Sequence, residues 1–210
     1  MKKTEDNINR LLYEQAAREE GFGCVCGVDE AGRGPLAGPV FAAAVIMPEG
    51  LIIDGVDDSK KLSAAKREAL FDVICEKAEA FGIAAATEQE IDEINILQAT
   101  FLAMRRAVAQ LETKPDIILV DGNRLPPELP CEGRTIIKGD SLSHSIACAS
   151  ILAKVSRDRF MLILGEKYPE YGFAKHKGYG TKDHIAALRE YGMSPVHRRS
   201  FLKKIEGIPR

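Results

Sequence analysis

The chain has 210 residues, 45% of them hydrophobic, and a net charge of −2, values typical of one folded domain that by themselves neither favour nor exclude a nucleic-acid partner. No apolar run reaches the roughly 18 residues that a membrane span needs, and the N-terminus lacks the apolar segment of a secretory signal. Five cysteines without a second paired cluster argue against a disulfide framework, so we expect reduced, buried thiols in a cytoplasmic protein that has no membrane contact.

The first half of the chain predicts helices and strands in alternation. A polar helix is expected over residues 7–21, followed by strands over 24–29 and 40–47, whose short glycine-rich connection is typical of an antiparallel pair. Residues 51–62 predict a loop, and Ser63 predicts the N-cap of a helix that runs to about residue 81. A strand over 82–87 and a long helix over 88–111, broken near Asn95, complete this half.

The second half begins with the clearest strand, over residues 116–121, whose continuous apolar run is typical of a strand covered on both faces. A proline-rich loop over 124–133 and a short strand over 134–138 follow. Ser143 or Ser145 is expected to cap a helix through residue 165, and a last helix is expected over 181–191. The pattern predicts an α/β fold, a mixed sheet flanked by helices, in residues 1–165, with a small helical C-terminal part, residues 166–210, packed on the same domain.

Four acidic residues, Asp29, Glu30, Asp121 and Asp140, close or follow apolar strands near glycines. In open α/β sheets ligand sites lie beyond the carboxyl ends of strands, so these acids could converge. Two like charges ~4 Å apart repel by roughly 4 kcal/mol at an effective dielectric constant of 20, which only protonation or a bound cation relieves. Carboxylate oxygens favour hard ions such as Mg²⁺ or Mn²⁺. The alternative for each single aspartate is a turn cap.

Asp29 and Glu30 are adjacent, so a regular strand would direct their side chains to opposite faces. Two explanations remain open for a shared site: the strand bends there, or one acid reaches the metal through its main-chain oxygen or a water. The following Gly32-Arg33-Gly34 turn suits a sharp bend where the backbone approaches a phosphate-bearing ligand.

Charge is distributed unevenly, with a net of −9 over residues 1–130 and +7 over residues 131–210. The basic part could contact an anionic partner or could be an ordinary solvated surface. The candidate contacts with a DNA backbone are Lys175, His176, Lys177, Arg198, Arg199, Lys203 and Lys204. The four histidines show no metal-binding spacing and are expected to be structural or exposed.

Two further lysines have specific expectations. Ser59 and Lys60 precede a helix and could hold a phosphate through a hydroxyl, an ammonium group and helix amides, or could form a plain capping loop. Lys154 lies within an apolar helix, where Asp158, four residues on, is the expected partner of its ammonium group.

Several motifs occur in a fixed order: Asp-Glu-Ala-Gly-Arg-Gly-Pro at 29–35, Val-Asp-Gly-Asn at 120–123, Lys-Gly-Asp at 138–140, Ala-Ser-Ile-Leu-Ala-Lys-Val at 149–155, Lys-Gly-Tyr-Gly-Thr at 177–181 and His-Arg-Arg-Ser-Phe at 197–201. Together they resemble the bacterial ribonuclease HII family over nearly the whole chain. Cys148, where the family more often has alanine, is a slight departure. The resemblance implies a ribonuclease H-like fold and a metal-dependent endonuclease. Such an enzyme cuts RNA in RNA–DNA hybrids and incises DNA duplexes 5′ to an embedded ribonucleotide, leaving 5′-phosphate and 3′-hydroxyl ends.

The resemblance also implies roles for individual residues. Asp29, Glu30, Asp121 and Asp140 match the acids that hold two Mg²⁺ or Mn²⁺ ions, directly or through water. Gly32, Arg33 and Gly34 match the turn that senses the ribose 2′-hydroxyl, the group that distinguishes RNA from DNA. Tyr179 matches the tyrosine that stacks on the neighbouring sugar. The expected partners are RNA–DNA hybrids and ribonucleotide-containing duplex DNA, bound by a monomer.

Two other interpretations compete with this one. The related ribonuclease HIII group carries an extra N-terminal substrate-binding domain, and the roughly 20 residues before the first strand disfavour it. A non-catalytic hybrid-binding module of the same fold predicts that acids are lost, whereas all four are present.

Overall fold

The computed structural model describes residues 9–203 and 205–209 and contains one five-stranded mixed sheet with helices on both faces. The strands are β1 (Val25–Ala31), β2 (Val40–Ile46), β3 (Ala80–Ala86), β4 (Ile117–Asp121) and β5 (Glu132–Ile136). The helices are α1 (Leu12–Glu19), α2 (Ala64–Lys77), α3 (Glu88–Ala109), α4 (Gly139–Leu142), α5 (His144–Lys167), α6 (Phe173–His176), α7 (Lys182–Tyr191) and α8 (Arg199–Leu202), with a 3₁₀ turn at Pro169–Tyr171. In the described part of the chain, no helix is long and apolar enough to cross a bilayer.

The strands lie in the order β3-β2-β1-β4-β5. β1, β2 and β3 form an antiparallel meander, whereas β4 pairs in parallel with both β1 and β5. This arrangement confirms the expected mixed sheet and the expected antiparallel pair. It also places the end of β1 beside the end of β4, because parallel neighbours run in the same direction.

Side chains of the central strands alternate between two apolar layers. Cys26 and Val28 of β1 pack in the layer beneath α3. Val25 packs on the other face with Ile146 of α5. A Cβ at Gly27 would lie 2.2 Å from the carbonyl carbon of Ser145, so only glycine lets α5 begin in direct contact with β1. This close contact brings the start of α5 next to the residues that follow Gly27.

Several local signals are confirmed. Ser63 accepts a hydrogen bond from the Lys66 amide at the start of α2, and of the two candidate caps of α5 it is Ser143 that caps the helix, through the Ile146 amide. The break in α3 falls at Asn95, which has a φ of 67°. Oδ1 of Asn95 accepts hydrogen bonds from the amides of Leu97 and Gln98, so asparagine caps the second part of the helix at the break.

Several boundaries differ from the prediction. The helix expected to reach residue 81 ends at Lys77, because the chain becomes extended at Ala78 and the Glu79 amide donates to the carbonyl of Ile46 to start β3. The strand predicted over 134–138 is β5, two residues earlier, set by its pairing with β4. Of the helix predicted over 7–21, residues 7 and 8 lie outside the described residues, and α1 covers Leu12–Glu19.

The C-terminal part packs on the side of α5. Tyr171 and Phe173 stack with ring centroids 5.4 Å apart and form an apolar cluster with Met161 and Leu164 of α5. Residue 165 is glycine, and a Cβ there would lie 2.8 Å from the Ala174 amide nitrogen. The chain after α5 therefore returns along that helix toward the end of β1.

Candidate active site

Three carboxylates meet at the carboxyl ends of β1 and β4. Val28 and Val120 are the last residues of the two strands that pair in parallel register, and Asp29 and Asp121 follow them. Because side chains alternate along a strand, both aspartates leave the sheet on the α5 face. Asp140 on α4 completes the group, since one oxygen from each of the three carboxylates lies within 4.8 Å of the others.

A short turn before α4 positions Asp140. Lys138 has a φ of 60°, which turns the chain back toward the sheet after β5. The Gly139 amide then donates a 2.6 Å hydrogen bond to Oδ1 of Asp121. A Cβ at Gly139 would lie 2.6 Å from Cδ1 of Ile146 and 3.3 Å from Oδ1 of Asp121, so a side chain there would crowd both groups.

The electrostatics of the cluster favour a cation. Burial raises the pKa of Asp29 well above its usual range, and the charges of Glu30 and Asp121 raise it further. Burial and the charge of Asp140 also raise the pKa of Asp121. The Glu30 amide, 2.7 Å from Oδ1 of Asp29, and the Ser150 hydroxyl act in the opposite direction. Such an all-oxygen, partly buried group fits a hard divalent ion, because the ion would remove the mutual repulsion of the acids.

Glu30 lies on the opposite face of the sheet from these three acids. Regular pairing of β1 with β2 continues to Ala31 opposite Phe41, so of the two explanations left open above, a bend in the strand is excluded at this point. The Glu30 carboxylate forms an ion pair with Arg33, with 3.3 Å between Oε1 and Nη1. Burial raises the pKa of Glu30, whereas Arg33 lowers it. A cleft between α3 and the end of β4 exposes both Glu30 and Asp121, and it is lined by Glu30, Arg33, Leu97, Thr100, Phe101, Met104, Asp121, Gly122, Asn123 and Arg124.

The two residues predicted from the loop before α2 lie in different positions. The Lys60 ammonium is exposed and 3.3 Å from the Asp140 carboxylate. Partial burial lowers the pKa of Lys60, but the charge of Asp140 raises it, and the net change is upward. Ser59 is buried, and its hydroxyl lies 2.9 Å from that of Ser150. The loop therefore presents an ammonium group at the rim of the site, with the Ser59 hydroxyl behind the carboxylates.

The Gly32-Arg33-Gly34 turn and Tyr179 lie next to each other beside the carboxylates. Arg33 and Gly34 are exposed, and the Tyr179 ring is 46% exposed. A Cβ at Gly34 would lie 3.7 Å from Cε1 of Tyr179, an ordinary contact distance. The structure thus places an exposed glycine-containing turn and an aromatic ring together on the surface that adjoins the acids.

The basic C-terminal residues do not all belong to the surface. Arg198, predicted as a DNA contact, is fully buried, and its guanidinium binds backbone carbonyls; that prediction is wrong. Lys175 is exposed and pairs with Asp183 at 2.9 Å. Lys204 lies outside the described residues. The predicted pair of Lys154 with Asp158 is confirmed at 2.6 Å.

The histidines are structural, as expected, but three of them are not scattered. His184 and His197 are buried, with their Nε2 atoms 3.0 Å apart, and His176 stacks on His184. His144 is buried at the start of α5, where its Nε2 accepts the Ile53 amide. None of the four histidines belongs to the carboxylate cluster.

Sequence reasoning also missed Ser150 and Arg157, and it gave Arg198 the wrong role. Ser150 bridges Asp29 and Ser59, and the two arginines bind backbone carbonyls of the segment between β1 and β2. Ser150 and Arg198 lie within motifs noted above, but nothing in the order of residues shows which side chains are directed inward.

Solved structures share this fold. Ribonuclease H2 from Pyrococcus horikoshii OT3 is 31% identical and superposes with a TM-score of 0.73, over 84% of this chain and 93% of that one. Bst-RNase HIII in complex with Mn²⁺ is 20% identical, with a TM-score of 0.67 over 83% of this chain and 63% of that one, and supports the fold alone. The fold and the acidic site together define a nuclease of the ribonuclease H-like class.

The family model described as Ribonuclease HII matches residues 26–204. Ribonuclease HII of Caldicellulosiruptor bescii is 56% identical over 205 residues, which cover 98% of each chain. The chain belongs to the ribonuclease HII family and is an endonuclease of the ribonuclease H type, active on RNA in RNA–DNA hybrids.

Proposed function

We propose that this enzyme also incises DNA duplexes on the 5′ side of a single embedded ribonucleotide, leaving a 3′-hydroxyl and a 5′-phosphate. The observation that carries the proposal is the adjacency of two features. The cluster of Asp29, Asp121 and Asp140 lies beside an exposed Gly32–Gly34 turn that can contact one ribose closely. A site that reads a single 2′-hydroxyl at the scissile phosphate has no need of a continuous RNA strand.

Asp29, Asp121 and Asp140 would hold the divalent ions, for which we propose Mg²⁺ or Mn²⁺, two during catalysis. When bound, such ions lower the pKa of the attacking water and stabilise the oxygen of the leaving group. The donor set fits, because it consists of oxygens from acids whose pKa values are raised by burial and by one another. Glu30 would act from the cleft on the opposite face of the sheet, through a water rather than as a member of this cluster.

The neighbouring residues would bind and orient the substrate. The backbone of Gly32 and Gly34 would contact the ribose 2′-hydroxyl, and Arg33, beside Glu30, would position the scissile phosphate. Tyr179 would stack on the sugar next to the ribonucleotide, since its exposed ring is adjacent to Gly34. Lys60 would attract phosphate at the rim of the site, where it already pairs with Asp140. Ser59, which is buried, would contribute to substrate binding only indirectly, through Ser150.

We propose that the protein acts as a monomer in the cytoplasm. All five cysteines are free, which suits a reducing compartment. The carboxylates, the turn and Tyr179 come from one chain, so the candidate site needs no residue from a second copy. A non-catalytic hybrid-binding module has no observation in its favour.

One experiment tests the proposed function. The protein is incubated with a DNA duplex that contains one ribonucleotide, with and without Mg²⁺ or Mn²⁺, and the cut position and the end groups are mapped. We expect a single metal-dependent incision 5′ to the ribonucleotide. Cleavage of a long RNA–DNA hybrid by the same preparation is the control for active enzyme. If the enzyme cleaves the hybrid but leaves the ribonucleotide-containing duplex intact, the proposal is wrong.

A further inference from the structure

Two arginines, Arg157 on α5 and Arg198 before α8, are almost fully buried behind the Gly32–Gly34 turn, with 1% and 0% exposure. In the described part of the chain, neither guanidinium forms an ion pair with a carboxylate within 4.0 Å. Glu88, itself buried, is a carboxylate whose charge raises the pKa of both arginines, against the larger lowering that burial causes. A buried charge without a close counter-ion is costly unless polar groups solvate it. The groups that accept hydrogen bonds from these two guanidinium groups are therefore strongly bound to them.

Those groups are backbone carbonyls of the segment that follows β1. Arg198 donates to the carbonyls of Gly32 at 2.6 Å, Arg33 at 3.0 Å, Pro35 at 2.8 Å and Gly38 at 2.8 Å. Arg157 donates to the carbonyls of Ala37 at 3.2 Å, Pro39 at 3.2 Å and Lys177 at 3.0 Å. The two guanidinium groups thus bind most of the carbonyls between residues 32 and 39, and Arg157 also binds the segment that leads to Tyr179.

The inward direction of these carbonyls determines where the amides point. In a trans peptide the N–H and C=O groups point in opposite directions, and the described chain has no cis peptide bond. With the carbonyls of Gly32 and Arg33 bound by Arg198, the N–H groups of Arg33 and Gly34 are directed away from it. Neither N–H has an acceptor among residues 9–203 and 205–209, and both residues are exposed. Two free backbone donors therefore face the side on which a substrate would bind.

We infer that Arg198 and Arg157 are positioning residues for ribonucleotide recognition. Arg198 orients the Arg33 and Gly34 amides as donors to the ribose 2′-hydroxyl or the adjoining phosphate. Arg157 binds the segment that follows the turn, at the carbonyls of Ala37 and Pro39, and holds it relative to Tyr179, whose ring centroid is 6.0 Å from its guanidinium carbon. This inference deepens the proposed function and rests on it, because it requires the turn to read the ribose.

Arg198→Lys is the direct test, since lysine keeps the charge but cannot donate to four carbonyls from one planar group. We expect kcat/KM to fall on the order of 10- to 100-fold through misplacement of the turn. Gly34→Ala alters the turn directly, so the double variant should lose little more than the more impaired single variant. Substitutions at coupled residues give such non-additive losses of kcat/KM. For independent substitutions the loss of the double variant equals the product of the two single losses within about twofold.

Arg106→Lys is the matched control. Arg106 also binds a backbone carbonyl, that of Ala85, and pairs with Glu90, and none of its hydrogen bonds within the described residues reaches the Gly32–Gly34 turn. Its combination with Gly34→Ala should show multiplied effects. If Arg198→Lys does not yield folded protein, Arg157→Lys, which loses three longer hydrogen bonds, enters the same cycle. Thermal unfolding of every variant confirms that the activities refer to folded protein.

The outcomes separate the two hypotheses. Each cycle is measured on a ribonucleotide-containing duplex and on an RNA–DNA hybrid. Multiplied losses in the Arg198→Lys and Gly34→Ala pair, on either substrate, would overturn the positioning role. A wild-type enzyme that cuts the hybrid but spares the single ribonucleotide would overturn the proposed function, while the cycle on the hybrid still decides the positioning role. Unchanged cleavage of both substrates by Gly34→Ala would overturn the positioning role, because the turn would then not read the ribose, while the proposed incision at a single ribonucleotide would stand.

Discussion

Asp29 and Asp121 are neighbours across two parallel strands, one residue beyond the last register pair, Val28 and Val120. The two carboxylates accept hydrogen bonds from different backbone amides: Asp29 from that of Glu30, and Asp121 from that of Gly139. Each carboxylate is therefore held by the chain itself, and the remaining oxygens converge with Asp140. A site built on strand ends in this way is rigid before any ligand binds.

Replacement of Asp121 tests whether the cluster holds the metal. Asp121→Asn should lower cleavage by at least about 10²-fold, the loss typical when one group that stabilises a transition state is removed. The metal-free variant should be as stable as wild type or more stable, because the repulsion that raises the pKa of Asp121 is gone. Mg²⁺ or Mn²⁺ should raise the Tm of wild type, since a ligand stabilises the state that binds it, and should raise that of the variant less. Near-normal cleavage by Asp121→Asn would contradict the assignment.

Glu30 should behave differently, because it lies on the other face of the sheet. We expect Glu30→Gln to reduce kcat on the order of 10-fold or more while it preserves most of the metal-induced rise in Tm. Parallel titrations of wild type, Glu30→Gln and Asp121→Asn by thermal unfolding give the comparison. A rise in Tm that is abolished equally in both variants would show that Glu30 is a direct ligand.

Two glycines near the site should respond in opposite ways to the same added methyl group. Gly27→Ala places a Cβ 2.2 Å from the Ser145 carbonyl carbon, so the backbone of β1 or α5 must move, at a cost of about 1–3 kcal/mol or more. Gly34→Ala meets only Tyr179, at 3.7 Å, and should fold normally while it impairs cleavage at a single ribonucleotide. Denaturant unfolding and single-site cleavage assays test both. Gly34→Ala that cuts like wild type would argue against recognition of the ribose by the backbone.

The buried histidine pair predicts a loss of stability in acid. The Ser194 amide donates to Nδ1 of His197, so the His197 proton lies on Nε2 and is donated to His184. A further proton on either ring would replace a hydrogen-bond acceptor by a donor, so that two N–H groups would face each other. Burial and the neighbouring His184 lower the pKa of His197 to about 4 from the 6.5 of an exposed histidine.

The sign of the pH effect follows from these two pKa values. Between pH 6.5 and 4 the unfolded chain binds more protons at His197 than the native chain does. The contribution of neutral His197 to the free energy of unfolding is therefore fully present above pH 6.5. It is lost as the pH decreases toward 4, by up to about 3 kcal/mol. His197→Gln should flatten this part of the curve. Denaturant unfolding of both proteins at several pH values is the measurement, and identical slopes would refute the role of His197.

Much of the fold could be predicted because its signals are local. Apolar periodicity located all five strands, capping residues located the starts of α2 and α5, and Asn95 marked the break in α3. The two-residue alternation along a strand raised the question of how Asp29 and Glu30 could share one site, and the uninterrupted ladder to Ala31 excludes a bend and leaves Glu30 on the opposite face. The end of α2 and the start of β5 were misplaced, because pairing with Ile46 and with β4 overrides the local pattern.

The acidic residues were recognisable in the chain because strand ends next to glycines are where such sites form, but the grouping of three acids without Glu30 depends on how β1, β4 and α4 meet. Arg198 shows the limit most clearly. A charged residue in a basic tail is ordinarily exposed, and its partners here are carbonyls about 160 residues away in sequence. No local pattern encodes that contact, since it exists only after the C-terminal part has packed against the turn. Composition and periodicity thus specify the sheet and its acids, and long-range packing specifies which side chains solvate one another and hold the turn in place.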